Sequence, residues 1–142
     1  ETDSVGKTFK GTFDGRGFGV RNLKISSTNN YIGFFGEGTL VAVMDLIEHY
    51  PKPGTALLGF FSMNANLQGQ GIGTEIISDS IAYLAQEGFK KVRLGIDKGN
   101  PQSKAFWLKN GFAFTGEAYE SDGSTILVME RKLYGYSKFR KE

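Results

Sequence analysis

Cysteine does not occur in this chain, and histidine and tryptophan occur once each. Without cysteine there is no disulfide framework, no thiolate nucleophile and no thiolate metal site. A lone histidine, His49, argues against a zinc centre, which draws on several ligands. No apolar run approaches the ~20 residues that span a bilayer, and none has the pattern of a signal peptide. An excess of one charge is missing too. Lys and Arg number 17 against 15 Asp and Glu, a net charge of +2, and the basic residues are scattered. The run Lys138, Phe139, Arg140, Lys141 reads as a solvated tail, so neither nucleic acid nor a membrane is expected as a partner. What remains is 142 residues of ordinary apolar and charged content. That length suits a single domain, 1–142, with its own core. The chain starts at Glu1 rather than Met, which fits a processed product, an excised fragment or an engineered chain.

Residues 1–38 differ from the rest. They are rich in Gly, Phe, Asn, Ser and Thr and have no helical periodicity. Phe9, Gly11 and Phe13 alternate with polar residues, Asp14-Gly15 is a two-residue turn signal, and Val20 to Ile25 resumes the alternation. Ser26 to Asn30 is a second polar turn, and Tyr31 to Gly36 a third short strand. The pattern predicts a three-stranded antiparallel meander with a hairpin at Asp14-Gly15. The spacing of Phe9, Gly11, Phe13, Asp14, Gly15, Gly17, Val20, Asn22, Leu23 and Ile25, followed by Tyr31-Ile-Gly-Phe-Phe-Gly36, resembles one GLUG-type repeat of bacterial surface proteins. A repeat array needs about three units to bury its faces. One unit excludes an independent β-helix, so these strands are expected to pair with the remainder of the chain.

From Thr39 the pattern changes. Thr39 to Tyr50 reads as a strand, Pro51-Lys-Pro-Gly54 as a turn, and Thr55 to Met63 as the returning strand of a hairpin. Apolar residues at Ile72, Ile76, Ile81 and Leu84 predict a helix over 71–87, with Gly88 as its left-handed stop. Lys91 to Asp97 alternates Val92, Leu94 and Ile96 on one face, with Gly95 on the other, where something approaches closely. A helix connects this strand to Thr55–Met63, so the two are expected to be parallel. A short helix over 101–109 stops before Gly111. Phe112–Glu120 and Thr125–Leu133 are strands joined by a loop at Ser121 to Ser124. The fold class is α/β, a mixed sheet with two helices.

Between the strand ending at Met63 and the helix lies Gln68-Gly69-Gln70-Gly71-Ile72-Gly73. Glycines remove side chains where the backbone comes close to something. They leave N–H groups at a helix N-terminus, where the peptide dipoles favour an anion such as a phosphate. The Lys-Ser/Thr ending of the nucleotide P-loop is absent, and the spacing is not that of the dinucleotide fingerprint. A tight strand-to-helix connection without a ligand is the plain alternative.

Gln68-x-x-Gly71-x-Gly73 resembles the acetyl-CoA loop of the GNAT superfamily of N-acetyltransferases, Gln/Arg-x-x-Gly-x-Gly/Ala. Asn100-Pro-Gln-Ser-Lys-Ala-Phe-Trp-Leu-Lys-Asn-Gly-Phe112 resembles the family's second signature. The similarity covers about residues 40–133. It implies a GNAT-like mixed sheet in which the usual N-terminal helices are replaced by the β-meander, and a junction of two unrelated pieces near residues 37–40. It implies acetyl-CoA as substrate, a CoA thioester and an unidentified amine as partners, and a cytoplasmic place for this part of the chain.

The resemblance also implies roles. Two parallel strands splay in this family, leaving backbone groups near Phe61, Ser62 and Met63 for the peptide-like pantetheine arm. The pyrophosphate rests on the amides of Gln68, Gly69, Gln70, Gly71, Ile72, Gly73 and Thr74, with the side chains of Gln68 and Gln70 as further donors. Asn100 and Trp107 complete the cofactor set, with a turn residue and a core aromatic as their plain alternatives. Transfer proceeds by direct attack of an amine, with an oxyanion donor near Met63. In many members a tyrosine protonates the departing thiolate. Here that position holds Trp107, which leaves Ser103, four residues earlier on the same face, or water. For the base, Asp45, Glu48 and His49 are candidates, Asp45 and His49 sharing one face of a strand. Three readings stay open: an acetyltransferase, a chimeric module that binds CoA without turnover, and a surface-associated binding domain. An exposed sheet edge predicts self-pairing into a dimer.

Overall fold

The computed structural model describes residues 6–9, 23–26, 31–36 and 39–133. In chain order these form β1 (Gly6–Phe9), β2 (Leu23–Ser26), β3 (Tyr31–Gly36), β4 (Thr39–Glu48), β5 (Thr55–Met63), a 3-10 turn (Ala65–Leu67), α1 (Ile72–Gln86), β6 (Lys91–Asp97), α2 (Pro101–Lys109), β7 (Ala113–Ser121) and β8 (Ser124–Lys132). Hydrogen bonding orders six strands as β3-β4-β5-β6-β8-β7, and β1 and β2 form a separate two-stranded sheet. This is the mixed α/β arrangement with two helices that the periodicities predict. The chain clusters into two compact units, residues 1–47 with 58–83, and residues 48–57 with 84–142.

In the first unit, β3 runs antiparallel to β4, from Tyr31 opposite Asp45 to Gly36 opposite Thr39. The three-stranded meander is therefore corrected. β1 pairs only with β2, Gly6 opposite Ser26, and β3 joins the larger sheet through β4. The predicted hairpin at Asp14-Gly15 lies outside the described residues. Between Phe34 and Phe35 the register shifts, so that Val41 is an extra residue on β4. A bulge of this kind re-aims the backbone, and here the Val41 carbonyl accepts from Asn64 N–H at 2.8 Å. The buried apolar side chains of this unit are Phe34, Val41, Ala42, Met44 and Leu46 with Leu58, Ile72, Ile76, Ile77 and Ile81. The α1 set falls at helical spacing, which is why the chain coils there.

In the second unit, β6 and β7 both run antiparallel to β8. Val92, Leu94 and Ile96 are buried on one face of β6 with Met129 of β8, and Trp107, Phe112 and Leu133 are buried as well. β7 ends the strand order, and all nine of its residues are exposed. Its register shifts between Phe114 and Ala118, with Gly116 at φ +95°. The β7–β8 loop is shorter than predicted. Ser121 and Ser124 pair directly, and Asp122 (φ +49°) and Gly123 (φ +80°) form a two-residue turn. Two positive φ angles in sequence match the twist of an antiparallel hairpin.

Both helices stop in the same way. After α1, Gly88 (φ +93°) donates to Ala85 O at 3.1 Å and Phe89 to Leu84 O at 3.0 Å. After α2, Gly111 (φ +88°) donates to Leu108 O at 3.1 Å and Phe112 to Trp107 O at 3.0 Å. These are Schellman closures: a left-handed glycine satisfies the orphan carbonyls, and the following apolar residue folds back. The Phe112 ring meets the Trp107 ring edge-on at 5.1 Å.

Candidate functional site

The glycine turn is built from the end of β5 outward. Asn64 anchors it. Its N–H donates to Val41 O, its Nδ2 to Leu40 O at 3.0 Å, and its Oδ1 accepts from Asn66 N–H at 2.9 Å. One side chain thus ties the exit of β5 to the start of β4 and caps the 3-10 turn. The chain then passes through Gly69 (φ +79°) and Gly71 (φ +83°), a conformation that costs other L-residues roughly 1 kcal/mol or more. The first intrahelical bond of α1 runs from Glu75 N–H to Gly71 O at 3.2 Å. Earlier amides, among them Ile72 and Gly73, lie ahead of that bond, at the positive end of the helix dipole. A Cβ at Gly69 would meet nothing within 4 Å, so the outside of the turn is open.

Two residues of the loop do something other than expected. Gln68 Nε2 reaches back to Met63 O and Gln70 Nε2 to Asn66 O, each at 3.4 Å. In this structure those side chains brace the loop from inside. Thr74 is half-buried in the first turn of α1, and Phe61, Ser62 and Met63 occupy the last positions of β5, Ser62 exposed.

The candidates for proton transfer separate. Asp45 lies within β4, half-buried, beside Gly59 of β5: a Cβ built on Gly59 would be 2.9 Å from Asp45 Cγ. His49 is corrected. β4 ends at Glu48, and His49 enters the following turn with φ +58°, so the alternation that would place it on the Asp45 face no longer applies. Its Nδ1 accepts from Gly54 N–H at 3.0 Å, and its ring stacks on Phe89 at 4.6 Å. Glu48 is the last residue of the strand.

The second signature lies on α2. Asn100 caps the helix, its Oδ1 accepting from Ser103 N–H at 3.0 Å, and Pro101 follows at the first turn. That is the local chemistry of an N-terminus: the cap supplies an acceptor, and proline has no N–H to leave unsatisfied. Ser103 is half-buried. Trp107 is 6% exposed and packs edge-on against both Phe106 and Phe112, so it is placed as a core aromatic.

Charge in the second unit centres on Arg93. Its Nη2 contacts Glu117 at 2.7 Å and its Nη1 contacts Glu130 at 2.8 Å, while Lys91 reaches Glu130 at 3.4 Å. The hydrogen bond from Arg93 holds the Glu117 carboxyl below its ordinary range, and the two carboxylates push the guanidinium above its own. Gly95, where a close approach is expected, is covered from within the sheet: a Cβ there would meet Ile126 Cγ2 at 2.6 Å and the Tyr119 hydroxyl at 3.3 Å. Among the described residues no group of three or more His, Cys, Asp or Glu is placed to hold a metal ion, and no helix is long and apolar enough to cross a membrane.

Asn64 was not foreseen as part of the loop. Its signal was an Asn directly after an apolar strand, a cap-forming residue whose bonding across to β4 has no sequence signature.

Comparison with known proteins places this geometry. The sequence model of the Acetyltransferase (GNAT) family matches residues 12–112. The match reaches further toward the N-terminus than residue 40, where the motif resemblance begins, and takes in β2 and β3. A spermine/spermidine N(1)-acetyltransferase of Bacillus subtilis is 30% identical over 105 residues, covering 70% of this chain and 68% of that protein. An acetyltransferase from Thermus thermophilus superposes with a TM-score of 0.61 at 24% identity, over 74% of this chain. The chain spans 64% of the length of that Thermus protein. A Bacillus subtilis acetyltransferase solved with CoA superposes with a TM-score of 0.62 at 16% identity, over 74% of this chain and 77% of its own. With a family match across most of its length, and a strand, left-handed glycine turn and helix where that family carries its first signature, this chain belongs to the GNAT family of acetyltransferases.

Proposed function

We propose that the chain is an acetyl-CoA-dependent N-acetyltransferase that transfers the acetyl group to a primary amine. The observation that carries this reading is the turn at Gly69 and Gly71. Both glycines hold left-handed backbone immediately ahead of α1, and the space outside Gly69 is open. That arrangement fits a diphosphate on the amides of residues 68–74. The backbone of Phe61, Ser62 and Met63 is the proposed rail for pantetheine, by added-strand pairing.

Acetyl-CoA supplies an activated thioester. The chain's part is to hold the acyl group and the amine in line, offer a backbone N–H near Met63 to the developing oxyanion, and exclude water from the reacting carbon. Overall, the ammonium loses two protons, one to solvent and one to the departing sulfur, as the C–N bond forms and the C–S bond breaks. Trp107 lies in the core, and the proposed donor of the proton to sulfur is water. The 30% identity to a spermine/spermidine acetyltransferase makes a polyamine the first acceptor to try.

Calorimetry with CoA tests the cofactor half. Micromolar binding is expected, and no binding at millimolar CoA rejects the reading. A thiol-release assay with spermidine, spermine and simple primary amines tests the transfer.

A second reading has an observation of its own. Every described element before the 3-10 turn is a strand, where the family resemblance implies helices that line the acceptor groove. On this reading the chain is a chimeric or truncated GNAT module that keeps CoA binding and has lost catalysis. CoA binding without turnover of any amine favours it. β3 and β7, at the two ends of the strand order, are the proposed edges for self-pairing, and light scattering distinguishes dimer from monomer.

A further inference from the structure

Glycine inside a strand is destabilising. It is kept there for a left-handed backbone or for room. Gly59 is not one of the glycines with positive φ, so what it provides is room. That room is taken. A Cβ on Gly59 would lie 2.9 Å from Asp45 Cγ and 3.3 Å from Asp45 Cβ. The carboxylate of β4 therefore lies over the β5 backbone, where a side chain of residue 59 would otherwise project. β5 has no acidic residue of its own, Thr55 to Met63 being TALLGFFSM. Asp45 delivers one to it from the neighbouring strand. The other acid of β4, Glu48, is an odd number of residues along and points to the opposite face. Among the described residues no hydrogen bond or ion pair engages the Asp45 carboxylate.

We infer that Asp45 is the residue that receives the ammonium group of the acceptor, an inference that rests on the acetyl-CoA reading above. Alternation places Gly59, Phe61 and Met63 on one face of β5, about 7 Å apart in succession. Phe61 to Met63 is the segment proposed to hold the pantetheine and acyl group. A carboxylate one step back along the same row holds a cation beside the acyl site without occupying it. The ligand chemistry is a primary alkylammonium, which offers three N–H donors and a full charge to the carboxylate. A neutral arylamine gains nothing from this group. Gly59 is the enabling residue: any side chain there displaces the carboxylate from the row.

The test is calorimetric titration of spermidine, and separately of n-butylamine, into the 142-residue chain saturated with CoA. Loss of a charge-assisted contact weakens binding by about tenfold or more. Asp45→Asn is expected to weaken amine binding by that factor while CoA affinity and melting temperature stay within error. Gly59→Ala is expected to weaken it similarly, by crowding Asp45. In an Asp45→Ala background Gly59→Ala is expected to add nothing, because the group it displaces is gone. Full amine affinity in Asp45→Asn, or no amine binding by the CoA-loaded wild type, overturns the inference alone. A lowered melting temperature in Asp45→Asn with amine binding intact assigns Asp45 to an internal ion pair and overturns it too. If the wild type binds no CoA, the acetyl-CoA reading falls first and this inference with it.

Discussion

Gly111 meets two constraints at one residue. Its φ of +88° closes α2, and a Cβ on it would press against the Arg131 guanidinium at 3.1 to 3.3 Å. Arg131 in turn donates to Asn110 O at 2.7 Å. Gly111→Ala is therefore expected to lose roughly 1 to 2 kcal/mol, from backbone strain and from moving the arginine. Urea unfolding of the two proteins measures it. Gly69 has the same backbone sign but open surroundings, so Gly69→Ala is expected to cost only the strain, about 1 kcal/mol. Glu117 gives a pH-dependent expectation. Its carboxyl is held below its ordinary range by Arg93. A depressed folded-state value contributes stability above the unfolded value, about 4.3 for Glu, and loses it as pH falls through the lower folded value. Glu117 is exposed and Arg93 only half-buried, so the effect is small and salt-sensitive. The difference in urea midpoint between wild type and Glu117→Gln is expected at neutral pH and is expected to close on acidification below about pH 4. A difference that grows on acidification contradicts this.

At the scale of the element, what was legible in the sequence was whatever local chemistry alone decides. α2 runs from Pro101 to Lys109 as read, because Asn100 and Gly111 are cap and stop by their own side-chain and backbone preferences. β5 has the bounds read for the returning strand of the hairpin, and β6 those that its alternation predicts. Three features were not legible, each because a partner distant in sequence decides it. His49 leaves the strand to accept from Gly54 and stack on Phe89, forty residues away. β3 chooses β4 over β2, which the alternation of Tyr31 to Gly36 cannot specify. Asn64 binds Leu40, 24 residues earlier. The candidate site divides in the same way. The glycine turn was readable from Gln68 to Gly73, whereas the approach of Asp45 to Gly59 depends on which strands are neighbours. Asn64 also yields a prediction. Asn64→Ala removes the ties to Leu40 and Asn66 and is expected to lower stability by about 1 to 2 kcal/mol. It is also expected to weaken CoA binding, since the loop loses its anchor to β4. Thermal melts with and without CoA separate the two effects.

At the scale of the whole chain, folding and ligand binding are linked. A ligand that binds only the native state raises its stability in proportion to the logarithm of its excess. At about one hundred times Kd the gain is about 2.7 kcal/mol. For a domain of this size that corresponds to a rise of several degrees in melting temperature. Saturating CoA is expected to produce such a shift, and adenosine without the diphosphate is expected to produce much less. Equal shifts from the two ligands would remove the glycine turn from the account.

The paired stops of α1 and α2 have a consequence for how this chain tolerates insertions. In each helix a left-handed glycine is followed at once by a phenylalanine that must face inward, Gly88-Phe89 and Gly111-Phe112. Adding a single residue upstream swings that ring by about 100° around the axis, out into water. Adding three or four restores its direction to within about 60°, one turn further along the axis. Helix length in this protein is therefore ratcheted, changing by whole turns and locked between them.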